Sequence, residues 1–271
     1  MAEHGSDLDK RPRGLRLRLQ ALLSTNTTVR LTNWVKGLAF RAGYDVSAIS
    51  PYDLQPRHRE IFVRVRPHTM TSLARIHAVI SAAEHVVRRS IPGAFVECGV
   101  WRGGSSMAAL LAFQAVGDTE REAWLYDTYE GMTPPGERDG AAEAAIFDRL
   151  APSATGSAWC RAGLDVVERN IASCGYPMAK VHLVAGRVEE TIPANAPDEI
   201  AVLRLDTDWY ESTRHTLEHL YPRLVSGGVL IIDDYGAWEG CQRAVDEYLA
   251  AHGIGAFLHR LDSTGRLLIK P

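Results

Sequence analysis

The chain has 271 residues, 46% of them hydrophobic and 23% charged, which is enough apolar material to bury a substantial core. A formal charge of −3 excludes the broad basic field of general nucleic-acid binding and points to a small-molecule partner. Cys98, Cys160, Cys174 and Cys241 show neither a CxxC pair nor zinc spacing, so they read as reduced thiols.

The opening MAEHGSDLDKRPRGLRLRLQALL is charged and lacks a signal-peptide apolar segment, and no later run reaches the roughly 20 apolar residues of a membrane span. A soluble, cytoplasmic protein without a membrane partner is the expectation. Arg11, Arg13, Arg16 and Arg18 read as a solvated arm. From Leu73, LARIHAVISAAEHVVRRS places apolar residues at helical intervals, and Pro92-Gly93 ends the helix. This predicts a helical N-terminal extension or lid over 1–90 and a second domain over 91–271.

From Ala94 short apolar runs alternate with amphipathic helices. AFVECGV, AWLYD, KVHLVAG, IAVLRLD and VLIID read as buried strands, and SSMAALLAFQAV, LDVVERNIASCG and ESTRHTLEHLYPRL as the helices between them. That order predicts an α/β, Rossmann-like fold with a mostly parallel sheet. AFLHRL, DSTG and RLLIK then predict a C-terminal antiparallel hairpin. Ligands of such sheets bind at the carboxyl ends of the strands, and acids dominate those ends here.

The first strand runs into VECGVWRGGSS, where Gly99, Gly103 and Gly104 allow a tight turn and close approach to a ligand before a helix begins. The spacing is neither GxGxxG nor a P-loop, which weakens dinucleotide and triphosphate readings. Glu97 stands where a ligand ammonium group can lie, and Asp127 ends the second strand, where a carboxylate can accept from both hydroxyls of a ribose. Together they suit S-adenosylmethionine; the alternative for Asp127 is a turn cap in YDTYEGM.

Asp206 and Asp208 in LRLDTDWYEST follow the fourth strand, and Asp233 and Asp234 in VLIIDDYG follow the fifth. If those strands are neighbours, about 4.8 Å apart, the four side chains converge. Three of them can bind a hard cation, Mg²⁺ or else Mn²⁺ or Ca²⁺, because carboxylates without His or Cys favour such ions over zinc. A fourth acid, Asp208 for example, can then act as general base toward an alcohol.

In VECGVWRGGSS, YDTYEGM, VHLVAGRVEETIP, LRLDTDWYEST and SGGVLIIDDYG, in that order, and more loosely in RPHTMTSLARI, the chain resembles the Mg²⁺-dependent sugar O-methyltransferases of antibiotic biosynthesis, the macrocin and mycinamicin O-methyltransferase family, which includes a noviose methyltransferase. The resemblance covers about residues 60 to 255. It implies a class I methyltransferase acting on a sugar hydroxyl of a glycosylated natural product, with S-adenosylmethionine and Mg²⁺, assembled as a homodimer or larger. Glu97, Gly99 and Ser105 would hold the methionine portion of the cofactor and Asp127 its ribose. Gly186, Val188 and Glu189 would lie near the adenine, and Thr69 and Met70 would close over the cofactor. Asp206, Asp233 and Asp234 would be the metal ligands and Asp208 the base.

Residues 1 to 60 depart from the family pattern in the region that contributes an acceptor lid, which leaves the acceptor open; Trp34, Tyr44 and Tyr52 are candidates to line it, or to pack. EGMTPPGERDGAAEAA is a second lid candidate. The rivals are a catechol or phenol O-methyltransferase, a non-catalytic ligand-sensing module that would be expected to have lost some of these acids, and an NAD-dependent oxidoreductase, which would need the missing GxGxxG.

Overall fold

The computed structural model describes residues 54–150 and 158–271. Trp34, Tyr44, Tyr52 and the arginine cluster lie outside the described residues. Helices α1 (Pro56–Val65) and α2 (Leu73–Arg88) precede strand β1 (Ala94–Cys98), α3 (Gly104–Ala115), β2 (Ala123–Asp127), α4 (Ala141–Leu150) and α5 (Leu164–Ala172). Then come β3 (Val181–Ala185), the short α6 (Val188–Thr191), β4 (Ile200–Leu205), α7 (Tyr210–Leu220), β5 (Leu224–Ile232), α8 (Glu239–Ala251), β6 (His259–Arg260) and β7 (Arg266–Ile269). Among the described residues no helix is long and apolar enough to cross a membrane.

Helix α2 starts where the Ser72 hydroxyl accepts from the Arg75 N–H at 3.2 Å, and its Ile76, Val79, Ile80, Ala83 and Val86 are buried at helical spacing. It ends before Pro92-Gly93, as the sequence predicts. The five apolar runs and the C-terminal hairpin form one seven-stranded sheet in the order β3-β2-β1-β4-β5-β7-β6, parallel from β3 to β5, with β7 antiparallel to β5 and to β6. This is the predicted Rossmann-like arrangement with its C-terminal hairpin. Strands β1 and β4 are buried at every position because helices cover both faces.

One core joins Ile61 and Val65 of α1, the apolar face of α2, and Met107, Leu110 and Phe113 of α3 to Phe95 and Ile231 of the sheet. The other places Val96, Leu203, Leu205 and Ile232 against Leu217 and Leu220 of α7 and Val245 and Tyr248 of α8. Helices α4 and α8 have no counterpart in the sequence reading, and α4 turns the end of the proposed lid segment, AAEAA, into regular structure. The rest of that segment is anchored: Trp209 Nε1 donates to the Thr133 carbonyl at 2.8 Å, and the Asp139 carboxylate accepts from the Tyr210 N–H at 2.8 Å and the Gly136 N–H at 2.7 Å.

The order of the strands reverses between β1 and β4, so the carboxyl ends of these two strands open a crevice at the point where Gly99 and Asp206 emerge.

Candidate active site

Two registers build the site. Glu97 on β1 pairs directly with Arg204 on β4, and Leu205 on β4 pairs with Ile232 on β5, so Asp206 and Asp233 leave the sheet side by side. Side chains two apart share a face. Hence Glu97 and Arg204 both point toward α2 and α3.

Arg204 is the hub, at 1% exposure. Its Nη1 donates to Glu97 Oε1 at 2.5 Å and reaches Asp206 Oδ2 at 2.9 Å; its Nη2 donates to Asp233 Oδ1 at 2.6 Å and Thr71 Oγ1 at 3.2 Å. Arg75 on α2 pairs with the other Asp233 oxygen and, through Nε, with Asp262 at 3.0 Å. A guanidinium buried in an apolar strand is costly unless its charge is paired, which is why this one sits among three carboxylates through Nη1 and Nη2, while its Nε is buried without a hydrogen-bond partner. The run IAVLRL contained this signal, a lone Arg in a buried strand, and sequence reasoning passed over it.

Glu97 also accepts from the Ser106 hydroxyl. Burial outweighs Arg204 and Ser106 and pushes its carboxyl up to about 7. Glu97 lies one layer behind the cleft wall, whereas Gly99, Ser105, Thr69 and Met70 line the cleft itself.

The glycine loop fits tightly against its surroundings. Gly99 has φ +85°, and a Cβ there would stand 2.0 Å from the Asp206 carbonyl oxygen; a Cβ on Gly104 would stand 2.5 Å from both the His68 carbonyl oxygen and the Thr69 Cβ. Only glycine allows both approaches. Asp127 fixes the loop from the other side: its Oδ2 accepts from the Val100 and Trp101 N–H groups at 2.7 and 2.9 Å, and its Oδ1 from the Tyr129 N–H at 2.7 Å. Its carboxylate thus serves as a clamp between β1 and β2, and Asp127 also lines the cleft. Gly186 donates to the Asp127 carbonyl at 3.0 Å, which brings Val188 and Glu189 at the start of α6 to the same rim.

The four strand-end acids converge on one wall of the cleft, which encloses about 410 Å³. One oxygen each of Asp206, Asp233 and Asp234 lies within 4.8 Å of the others. Asp234 Oδ2 is buried without a hydrogen-bond partner. An all-oxygen donor set with one orphaned carboxylate oxygen fits a hard divalent cation, whose oxygen ligands lie at about 2.1 to 2.5 Å. Burial, then repulsion from Asp208, Asp206 and Asp233, holds the Asp234 carboxyl well above its usual range, and burial pushes Asp233 up to about 6 despite Arg204. Burial works the same way on Asp206, but Arg204 and a hydrogen bond with Asp234 outweigh it and hold that carboxyl low. A further cation would relieve the whole group.

Asp208 stands apart from the three. It adopts φ +59°, a left-handed conformation that is costly for a residue with a Cβ, and its Oδ1 accepts from Trp238 Nε1 at 2.7 Å. Burial, then Asp206, pushes its carboxyl well above the usual range. Trp159, Cys160, Trp209 and Trp238 line the cleft beside it. The Cys160 thiol, pushed up to about 12 by burial and then by Asp208, stays neutral. Sequence reasoning missed these neighbours, although Trp209 and Trp238 lie within a few residues of the acids.

The macrocin O-methyltransferase (TylF) family model matches residues 40–270. The chain is 37% identical over 198 residues to the 8-demethyl-8-(2,3-dimethoxy-alpha-L-rhamnosyl)-tetracenomycin-C 4'-O-methyltransferase of Streptomyces olivaceus, covering 73% of this chain and 74% of that one. It is 32% identical over 202 residues to the mycinamicin III 3''-O-methyltransferase of Micromonospora griseorubida, covering 73% and 76%. Among solved structures it is similar to the O-methyltransferase NovP, with a TM-score of 0.68, 32% identity, and coverage of 75% of this chain and 82% of that one. The glycine loop, the acid clamp and the matched family together place this chain in the macrocin O-methyltransferase family, as an S-adenosylmethionine-dependent O-methyltransferase.

Proposed function

We propose that the chain methylates a hydroxyl of a sugar carried by a glycosylated natural product, using Mg²⁺ held by Asp206, Asp233 and Asp234. The observation that carries this reading is the convergence of four carboxylates at neighbouring strand ends, directly against the glycine loop. The relatives' names support the sugar: they act on a rhamnosyl tetracenomycin, on demethyldecarbamoylnovobiocin and on mycinamicin III.

S-adenosylmethionine would supply an electrophilic methyl group and leave as S-adenosylhomocysteine. Gly99 and Ser105 would hold its methionine end, with Glu97 and its partner Arg204 buried behind them; Asp127 would take the ribose, Gly186, Val188 and Glu189 would border the adenine, and Thr69 and Met70 would close over the cofactor. Bound Mg²⁺ would stabilise negative charge developing on the sugar oxygen. Asp208 accepts the hydroxyl proton at Oδ2, because Trp238 holds Oδ1. The chain's contribution to rate is largely positional, since oxygen, methyl carbon and sulfur must be in line. The segment before residue 91 supplies the cover over the cofactor through Thr69 and Met70.

The test is methyl transfer from labelled S-adenosylmethionine to a rhamnosyl tetracenomycin, demethyldecarbamoylnovobiocin, mycinamicin III and a catechol, each with Mg²⁺ or with chelator. Mg²⁺-dependent methylation of a sugar hydroxyl, with the catechol a poor substrate, is expected. Preferred methylation of the catechol would overturn the sugar assignment, and full turnover in chelator would overturn the metal site.

A further inference from the structure

The turn DSTG, residues 262 to 265, reverses the chain between β6 and β7 and also reaches into the acid site. Asp262 Oδ1 accepts from the Thr264 and Gly265 N–H groups at 3.0 and 2.8 Å, which closes the turn. Asp262 Oδ2 meets the start of α2, where it accepts from the Ser72 hydroxyl and, at 3.0 Å, from Arg75 Nε. The same Arg75 donates through Nη1 to Asp233 Oδ2. One arginine thus links the C-terminal hairpin to an acid at the end of β5.

The surroundings are shaped to this link. A Cβ on Gly265 would stand 2.8 Å from Arg75 Cδ and 2.9 Å from its Cγ, so the turn leaves room for the arginine stem only because that position has no side chain. The loop after Asp233 and Asp234 rests on the same turn, with the Gly236 N–H donating to the Thr264 carbonyl at 2.9 Å. Arg75 and Thr264 both line the cleft beside the acids.

Tying the hairpin to α2 accounts for Asp262 with Ser72 and Arg75 Nε. It does not account for the other half of the arginine, which goes to an acid whose Oδ1 Arg204 already holds at 2.6 Å. With a guanidinium on each oxygen, the Asp233 carboxylate is fixed in rotation, yet its two oxygens offer about four lone-pair sites and can still be shared with a cation. Asp262 keeps Arg75 divided between two carboxylates. Without that anchor, the guanidinium is free to shift further over the strand-end acids and compete with a cation for them.

We propose that Arg75 and Asp262 are positioning residues for the cation site: Asp262 anchors Arg75, and Arg75 orients the Asp233 carboxylate, so that cation affinity depends on the C-terminal hairpin. The inference rests on the proposed metal site and deepens it. Partners that orient a metal ligand in this way are worth about 10- to 100-fold in metal affinity.

The test is calorimetric titration of Mg²⁺ into the full chain saturated with S-adenosylhomocysteine, for the native chain, Asp262→Asn, Arg75→Lys and the double variant. Asp262→Asn keeps an amide oxygen for the Thr264 and Gly265 N–H groups, so the turn is retained, but places an NH₂ group where Oδ2 accepted from Arg75. Arg75→Lys keeps the charge, and with it the repulsion of a cation, but loses the fork that reaches two carboxylates at once. Each single variant should weaken Mg²⁺ binding about tenfold while S-adenosylhomocysteine affinity stays within about twofold, and the double variant should be no weaker than the weaker single one, because both break the same link. A hairpin that only lends stability would leave Mg²⁺ affinity in the folded chain unchanged. Unchanged or tighter Mg²⁺ binding in either single variant, or losses that multiply in the double variant, would overturn the link. A native chain that binds S-adenosylhomocysteine but no Mg²⁺ would instead overturn the proposed metal site itself.

Discussion

Asp208→Asn should lower kcat by about 10² to 10⁴, the usual contribution of a positioned general base, while S-adenosylmethionine affinity stays within about twofold. The amide still accepts from Trp238 Nε1 through its oxygen, so the left-handed turn at Asp208 and the aromatic wall are retained. What is lost is the site for the hydroxyl proton. The variant also removes one of the charges that raise Asp234, so metal affinity changes far less than turnover does. Rapid-quench turnover measured beside calorimetric cofactor titration separates the two effects. Near-native kcat in the variant would rule out the base assignment, and loss of cofactor binding would mark Asp208 as structural.

Arg204→Met is expected to have the largest effect on stability. The side chain is similar in length and apolar, so it fits the strand, but it leaves Glu97, Asp206 and Asp233 facing one another without the buried cation between them, while Arg75 reaches Asp233 and Ser106 reaches Glu97. Removing one partner of a buried ion pair costs about 3 to 5 kcal/mol, which for a domain of this size lowers Tm by roughly 10 °C. The pH dependence has a definite sign. Glu97 and Asp233 have folded-state values of about 7 and about 6, above those of the unfolded chain, so folding takes up protons and stability falls as pH rises through this window. Without Arg204 those values rise further. The deficit relative to the native chain should therefore be largest near pH 8 and shrink as the pH is lowered toward 5. Thermal unfolding of both chains across that range checks this, and a deficit that does not change with pH would mean that lost packing, not unpaired charge, is the cause.

The sequence shows unequal amounts of different parts of the site. Strands such as AFVEC and IAVLRL are legible because both faces of a central parallel strand are buried, which writes an unbroken apolar run, and the acids are legible because they break that run at its end. Convergence of Asp206 with Asp233 follows once β4 and β5 are neighbours, which the order of elements already favours. Other features depend on what touches what. Asp127 is readable as an acid after β2, but its three N–H donors from Val100, Trp101 and Tyr129 become apparent only when the loop after β1 folds across it. Glu97 reads as a cofactor ligand from its place beside Gly99, yet its register with Arg204 turns it behind the cleft wall. The tryptophan wall gathers three segments up to 79 positions apart in numbering, from Trp159 to Trp238, and no local pattern reports such a meeting. Helix α8 carries the helical spacing of Cys241, Ala244, Val245 and Tyr248 but no start signal, since Trp238 at its N-cap makes no capping hydrogen bond and Gly240 stands in its first turn.

On the proposed reading the glycine loop holds the cofactor and the strand-end acids hold a divalent cation. Calorimetric titration of Mg²⁺ into the chain saturated with S-adenosylhomocysteine, beside Asp234→Asn, tests it most directly. One Mg²⁺ site is expected in the native chain, weakened at least tenfold in the variant, with S-adenosylhomocysteine affinity unchanged in both. Absence of Mg²⁺ binding by the native chain, or equal binding by the variant, would contradict it.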